Sequence, residues 1–311
     1  MSKSAFKAAL AEYAAASAED RPPDFGRFEF ALWAKAADAL VQRGELELAA
    51  VAVRRLGAQW PAFEWAGNVD RMLTMAPPAD PATPPIVDNF PEPIQVVGRP
   101  GADTALLVFC GATHRPGLPL PILHRWLARL PVSLIYLRDR KSFGYLGGLE
   151  PLGADRAATV DSLRRTIGEL GARRIVCYGP SIGGYGALRY GLELGAAATV
   201  LFSGIVNMDP GFNLGLHYVR TAHKLQAAFP GEILDLRELY LASARPPAVF
   251  AAYAQHNWDD RLHAEYLADL DGVVAVQAAG AKTHNTTLEL MRRGRFDALM
   301  RDVIAAEGPA R

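Results

Sequence analysis

The sequence predicts an α/β fold, with a mostly parallel β-sheet covered by helices on both faces and preceded by a small N-terminal helical region. Two observations predict this class. Strand-like and helix-like runs alternate from residue 94 onward, which is typical of parallel sheets. Seven prolines between residues 76 and 93 separate that part from the N-terminal part. We therefore predict a helical region at 1–75, a Pro-rich linker at 76–93 and the main domain at 94–311.

Composition restricts the partners and the compartment. The 311 residues include 33 basic and 33 acidic side chains, so no net charge attracts the protein to nucleic acid or to an anionic membrane. Lys7 and Glu12 interrupt the alanine-rich start, which lacks the continuous apolar core of a secretory signal. No apolar window approaches the length of a membrane span. Cys110 and Cys177 lie in apolar strand patterns and are expected to be buried and reduced, as in a cytoplasmic protein.

The N-terminal region shows helical periodicity over residues 27–75. Gly44 separates the first two helices, Pro61 ends the second, and a third begins near Phe63. This arrangement resembles a single tetratricopeptide-like unit, with Trp33, Gly44 and Pro61 near the marker positions of such a repeat. One unit does not form a stable array, so we predict a helical cap on the main domain. A protein partner that docks on these helices is the alternative.

The main domain contains seven predicted strands and four predicted helices. The strands span residues 94–97, 105–110, 132–136, 174–178, 199–202, 248–253 and 273–277. The helices span residues 121–130, 154–170, 185–194 and 261–270. Residues 204–247 form a partly helical insertion between two strands. We expect this insertion to lie like a lid over the carboxyl end of the sheet, where open α/β folds bind ligands.

The segment Gly179-Pro180-Ser181-Ile182-Gly183 is the most informative motif of the chain. It joins an apolar strand directly to a helical pattern, and a turn this tight requires small residues on both sides of the serine. Ser181 is therefore predicted to project from the strand end. The helix that follows would favour negative charge at its N-terminus. The segment predicts a nucleophile elbow for acyl transfer.

A serine nucleophile needs a base, and the base needs an acid. His284 follows the last predicted strand, and Asp259 and Asp260 follow the strand before it. The order serine, acid, histidine resembles that of the α/β-hydrolase superfamily, over residues 94 to about 304. The spacing of Asp260 before His263 fits that family better, so the resemblance favours Asp260 as the acid, with Asp259 as the alternative. Either aspartate can instead cap a helix that begins at Arg261.

The same resemblance implies an oxyanion hole made by backbone amides. The amide of Ile182 is the first donor, and that of Ala112 or Thr113, in the loop after the second strand, is the second. Cys110-Gly111 replaces the common His-Gly start of this loop, which leaves the second donor open. Residues expected to contact the substrate are His114, Tyr145 and His217.

A finer resemblance concerns the substrate. The segments around Ser181 and His284 are similar to a bacterial hydrolase subgroup that joins short tetratricopeptide-like helices to a compact hydrolase domain. Members of that subgroup are associated with surface glycans. The resemblance implies acyl or acetyl ester chemistry on a small-molecule or glycan ester.

Three functions follow from these observations. The first is a serine esterase that works through a Ser181–His284–Asp260 triad and an acyl-enzyme, with no metal and no organic cofactor. The second is an acyltransferase with the same triad, in which a sugar hydroxyl replaces water. The third is a non-catalytic binding or assembly protein that retains the scaffold. A complete triad favours catalysis, because a scaffold has no physical need for all three groups.

Overall fold

The secondary structure alternates as the sequence predicts, with additional helices at both ends. The structure, a computed structural model, describes residues 3–81, 84–212 and 216–309. Its strands are β1 (Ile94–Val97), β2 (Thr104–Phe109), β3 (Ser133–Leu137), β4 (Arg174–Pro180), β5 (Ala198–Phe202), β6 (Ala248–Ala254) and β7 (Val273–Ala278). Its helices are α1 (Lys3–Ala18), α2 (Phe30–Gln42), α3 (Leu46–Gln59), α4 (Glu64–Met75), α5 (Leu120–Leu127), α6 (Arg156–Glu169), α7 (Ile182–Leu194), α8 (Leu216–Ala228), α9 (Leu236–Ala242), α10 (Trp258–Leu267), α11 (Thr286–Arg292) and α12 (Phe296–Ala305).

The seven strands form one sheet in the order β1-β3-β2-β4-β5-β6-β7. Only β1 runs antiparallel to its neighbour, and all other pairs are parallel. The predicted α/β class is therefore confirmed. The strand order reverses between β2 and β4, which are hydrogen-bonded neighbours. A crevice forms at such a reversal point, outside the carboxyl ends of the strands.

Two helix starts differ from the prediction by three residues. Helix α7 begins at Ile182 rather than at 185, and α10 begins at Trp258 rather than at 261. In both cases the apolar periodicity identified the buried face but not the first turn, where a single apolar residue is followed by two glycines or two aspartates that do not continue the periodicity. Helices α11 and α12 were not predicted from the sequence, and α1 lies in the predicted helical region 1–75, in which no helix was predicted before residue 27.

The chain separates into two compact units. The first contains residues 1–89 and 118–129, so α5 groups with the N-terminal helices, and the second contains the sheet. Within the first unit, Gly44 has φ +74°, and a Cβ there would lie 2.7 Å from the carbonyl oxygen of Ile86. The Pro84 carbonyl lies 3.2 Å from the ring of His124. The end of the Pro-rich segment thus packs on the first unit, while the predicted domain boundaries stay predictions.

Two further sequence predictions concern cysteine and membrane spans. Cys110 and Cys177 are both free and buried, as predicted. Burial raises the pKa of the Cys177 thiol, which stays protonated and unreactive. Within the part of the chain that the structure describes, no helix has the length and hydrophobicity needed to cross a membrane.

Close packing of α7 against β2 requires a glycine at position 183. A Cβ there would lie 2.6 Å from the Phe109 carbonyl oxygen and 2.8 Å from that of Cys110. We expect Gly183→Ala to lower the free energy of unfolding by about 1–3 kcal/mol or more, because backbone must shift to admit the methyl group. Denaturant unfolding monitored by circular dichroism measures the change.

Gly168→Ala is the matched control for this prediction. Gly168 lies in α6, and a Cβ there would meet nothing within 4 Å. The same substitution should therefore raise stability by about 0.5–1 kcal/mol, since alanine favours the helix. Equal effects of the two substitutions would contradict the packing argument.

Candidate active site

Ser181 lies in the tight turn between β4 and α7. Its backbone has φ 51° and ψ −129°, a strained conformation for a residue with a side chain. The turn brings backbone into such close contact that a Cβ at Gly179 would lie 2.2 Å from the Gly183 carbonyl oxygen. The Ser181 amide donates to the Phe202 carbonyl at 3.0 Å, and its carbonyl accepts from Ile205 at 3.1 Å. These bonds hold the turn against β5 and its following loop.

His284 and Asp260 meet at the carboxyl edge of the sheet. Nδ1 of His284 lies 2.6 Å from Oδ1 of Asp260. The Asp260 side chain is 1% exposed and that of His284 is 42% exposed. A buried carboxylate on Nδ1 leaves Nε2 as the nitrogen that can accept a proton.

The alternative role of Asp259 or Asp260 as a helix cap is not observed. Helix α10 begins three residues earlier than predicted, so its cap is Asn257, whose side chain accepts from the Asp260 amide at 3.3 Å. Both aspartates lie in the first turn of the helix, Asp260 buried and Asp259 half-buried. The carboxylate of Asp260 is therefore free of a capping role and faces His284.

A hydroxyl binds the Asp260 carboxylate, and a side-chain amide holds the loop that carries His284. Ser203 Oγ donates to Oδ2 of Asp260 at 2.6 Å and lies 2.5 Å from Oγ1 of Thr286. Asn285 Nδ2 donates to the Gly117 carbonyl at 2.9 Å. Sequence reasoning missed Ser203 and Thr286. The available signal was their position, since Ser203 follows β5 directly and Thr286 lies two residues after His284.

A small cavity lies beside the elbow. Because β2 and β4 are neighbours, the loop after β2 passes close to Ser181, and a Cβ at Gly111 would lie 3.7 Å from the Ser181 Cβ. The cavity has a volume of about 100 Å³. Residues from four parts of the chain line it, including Ala112, His114, Tyr145, Ile182, Tyr218 and Thr221. The two residues favoured as amide donors, Ala112 and Ile182, thus face one space, and Thr113 follows Ala112 in the same loop.

The residues expected to contact substrate have different surroundings. The His114 ring, half-buried, packs edge-on against Phe90 with centroids 5.5 Å apart. Tyr145 is 1% exposed, and its hydroxyl lies 2.7 Å from the carbonyl oxygen of Cys110. Tyr145 therefore supplies an apolar ring to the cavity wall, while its hydroxyl is committed to the backbone. The side chain of His217 lies outside the described residues.

Tyr218, on helix α8 of the insertion, contacts the serine directly. Its hydroxyl lies 3.2 Å from Ser181 Oγ. Burial raises the pKa of this phenol above its ordinary value. Among the hydrogen bonds of the described residues, none joins Ser181 to His284; catalytic hydrogen bonds often tighten only when substrate binds. The sequence placed Tyr218 in the insertion but gave no sign that it faces Ser181.

A second histidine, His263, is buried next to His284. Burial, with a smaller contribution from His284, lowers the pKa of His263 to about 4. Its Nδ1 accepts from the Val206 amide at 3.4 Å. His263 is therefore neutral at neutral pH and places no positive charge beside His284. Over the described residues, no group of three or more His, Cys, Asp or Glu side chains is arranged to hold a metal ion.

The topology and the elbow together decide the fold. A sheet with one antiparallel edge strand, a strained serine between a central strand and its helix, and a histidine loop after the last strand form a recognised combination. The chain has the α/β-hydrolase fold. No family model matches the sequence, and no curated protein is significantly similar to it.

Solved structures are similar to this chain only at low levels. One is carboxyl esterase 2 from the fungus Tuber melanosporum, with 12% identity, a TM-score of 0.47, and coverage of 69% of this chain and 81% of the other. Another is an S-formylglutathione hydrolase from Agrobacterium tumefaciens, with 15% identity, a TM-score of 0.48, and coverage of 69% and 90%. A third is the Glycosylation Associate Protein (Gap123) complex from Streptococcus agalactiae, with 15% identity, a TM-score of 0.44, and coverage of 67% and 43%. At such values, function has to be inferred from the side chains of the site.

Proposed function

We propose that the protein is a serine hydrolase that cleaves esters of short-chain carboxylic acids. The observation that carries the proposal is the contact of 2.6 Å between His284 Nδ1 and the buried Asp260, at the sheet edge where Ser181 ends a strand. A carboxylate in this position holds the imidazole in the tautomer that accepts a proton on Nε2. A histidine–carboxylate pair of this kind activates a serine hydroxyl within its reach as a nucleophile.

The proposed reaction has two steps. Oγ of Ser181 attacks the ester carbonyl carbon, its proton passes to Nε2 of His284, and the carbonyl electron pair moves onto oxygen. The amides of Ile182 and Ala112 stabilise this oxyanion. Collapse expels the alcohol, which takes the proton from His284 and leaves an acyl-enzyme. Water then attacks the acyl group with the same proton transfers, releasing the acid and restoring Ser181.

The cavity beside the elbow supports a short acyl group. Its volume of about 100 Å³ is well below the roughly 300–1,000 Å³ of pockets that bind drug-sized ligands. It therefore has room for a few non-hydrogen atoms, as in an acetyl or propionyl group. A glycan as the alcohol part of the ester, which the sequence resemblance implies, remains a prediction.

A chain-length series tests this proposal. We expect kcat/KM for p-nitrophenyl esters to be highest for acetyl or propionyl and to fall at least about tenfold by octanoyl, because the longer chain does not fit. Ile182→Ala keeps the backbone amide but removes a side chain that lines the cavity. This variant should shift the optimum toward longer chains.

Two outcomes would contradict the proposal. Equal kcat/KM values for all chain lengths would show that the cavity does not bind the acyl group. An absence of hydrolysis with every ester would show that the protein is not an esterase. Gly168→Ala, at a position in α6 that does not line the cavity, serves as the control and should show the wild-type profile.

A further inference from the structure

The Tyr218 hydroxyl is close to the reacting atoms. It lies 3.2 Å from Ser181 Oγ and lines the same cavity as Ala112 and Ile182. In the tetrahedral intermediate, the oxyanion and Oγ are bonded to one carbon. The Tyr218 hydroxyl lies within hydrogen-bond distance of Oγ, on the side of the two backbone amides. A small shift of this hydroxyl therefore brings it within hydrogen-bond distance of the oxyanion.

Helix α8 is held in place by contacts with the loop after β3. The ring of Phe229, the residue directly after α8, packs edge to face against the ring of Phe143, with centroids 5.4 Å apart. Lys224 Nζ lies 4.4 Å from the centroid of the Phe143 ring. These contacts fix the helix that carries Tyr218, so the phenol is oriented before substrate arrives, as electrostatic catalysis requires.

The loop under α8 is itself rigid. Both oxygens of Asp139 accept backbone hydrogen bonds, Oδ1 from Lys141 at 3.1 Å and Oδ2 from Phe143 at 2.7 Å and Tyr145 at 2.9 Å. Helix α8 of the insertion thus contacts a loop that is held by hydrogen bonds. The hydroxyl of Tyr218, on the same helix, faces Ser181.

The protonation state of Tyr218 suits a donor. Burial raises its pKa above the ordinary value of a phenol, so the hydroxyl stays protonated across the pH range of ester assays. A neutral phenol stabilises an oxyanion by donating a hydrogen bond, and no proton leaves the tyrosine.

We propose that Tyr218 is a catalytic residue that donates a third hydrogen bond to the oxyanion, in addition to the two backbone amides. The inference rests on the proposed function, since it concerns the transition state of the same reaction. It assigns the insertion a chemical role: helix α8 completes the oxyanion hole.

Tyr218→Phe tests this role because it removes only the hydroxyl. We expect kcat for the acetyl ester to fall by about 10²–10³, the loss caused by removing one oxyanion donor, while KM changes little. Affinity for a trifluoromethyl ketone, which forms a tetrahedral oxyanion on Ser181, should fall by the same factor as kcat/KM. A residue with a merely structural role would not couple these two quantities.

Tyr185→Phe is the matched control. Tyr185 lies on α7 and its buried hydroxyl has no hydrogen-bond partner among the described residues. Its substitution should leave kcat and inhibitor affinity unchanged. Thermal unfolding of both variants checks that each is folded.

The outcomes separate this inference from the proposed function. Ester hydrolysis by the wild type together with an unchanged or increased kcat in Tyr218→Phe would overturn the role of Tyr218 alone. A drop in kcat without a drop in inhibitor affinity would also overturn it. If the wild type hydrolyses no ester, the proposed function and the inference both fail.

Discussion

Ser181→Ala should abolish ester hydrolysis while the protein remains folded. Loss of a triad nucleophile lowers kcat by on the order of 10⁶, because neither the base nor the oxyanion hole can act without it. The side chain lies at a turn, and its hydroxyl contacts Tyr218, so removing one oxygen leaves no core cavity. Hydrolysis of the acetyl ester and thermal unfolding measure the two effects.

A covalent probe provides an independent readout for the same variant. A fluorophosphonate should phosphonylate Ser181 in the wild type and leave Ser181→Ala unlabelled, as peptide mapping by mass spectrometry shows. Ser162→Ala is the control, since Ser162 lies on α6 and donates to the Leu152 carbonyl. Labelling at another residue, or wild-type turnover in Ser181→Ala, would contradict the site. An unreactive wild type would favour the binding or assembly function.

Asp260→Asn should lower kcat by about 10⁴, the loss that the same change causes in a well-characterised serine protease triad. The amide cannot hold the His284 tautomer, because an NH₂ group faces Nδ1 or the ring must turn. Asp260 also accepts from Ser203, so one carboxylate oxygen fixes the histidine while the other is held by a hydroxyl. Steady-state kinetics with the acetyl ester give the magnitude.

Asp259→Asn is the matched control, because Asp259 is the residue next to Asp260. Asp259 lies in the same turn of α10, is half-buried, and carries the same charge. We expect less than about a tenfold change, since the histidine contacts the neighbouring residue. The reverse ranking of the two variants would transfer the role of the acid to Asp259.

The elbow could be predicted from sequence because its causes are local. Gly179 and Gly183 are four residues apart, and the contact that excludes a side chain is between them. The alternation of strands and helices is also a local signal, because strands that are buried on both faces of the sheet appear in the sequence as short continuous apolar runs. The same reasoning gave no bounds for α1, whose apolar face is weakly defined, and did not find α11, which has seven residues. It also missed α12, although Phe296, Leu299, Met300 and Val303 form a regular apolar face there.

The acid was predicted by its place in the chain, but its surroundings were not. Neighbouring residues in a helix point about 100° apart, so only the fold decides which of Asp259 and Asp260 faces His284. The sequence also placed the helix start at 261, whereas Asn257 caps it. That shift releases Asp260 from capping, which no local pattern indicates.

By itself, the sequence determined the α/β class and the elbow at Ser181, because each depends on neighbours within a few residues, whereas the order of the candidate acid and base came from the resemblance to a known family. Only the tertiary structure brought Asp260 to 2.6 Å from His284, added Ser203 behind the carboxylate, and placed the Tyr218 hydroxyl 3.2 Å from Ser181 Oγ. These contacts join residues 24, 57 and 37 positions apart. Such contacts depend on the order of the strands in the sheet and on the packing of the insertion against it. Neither can be deduced from how far apart the residues are along the chain.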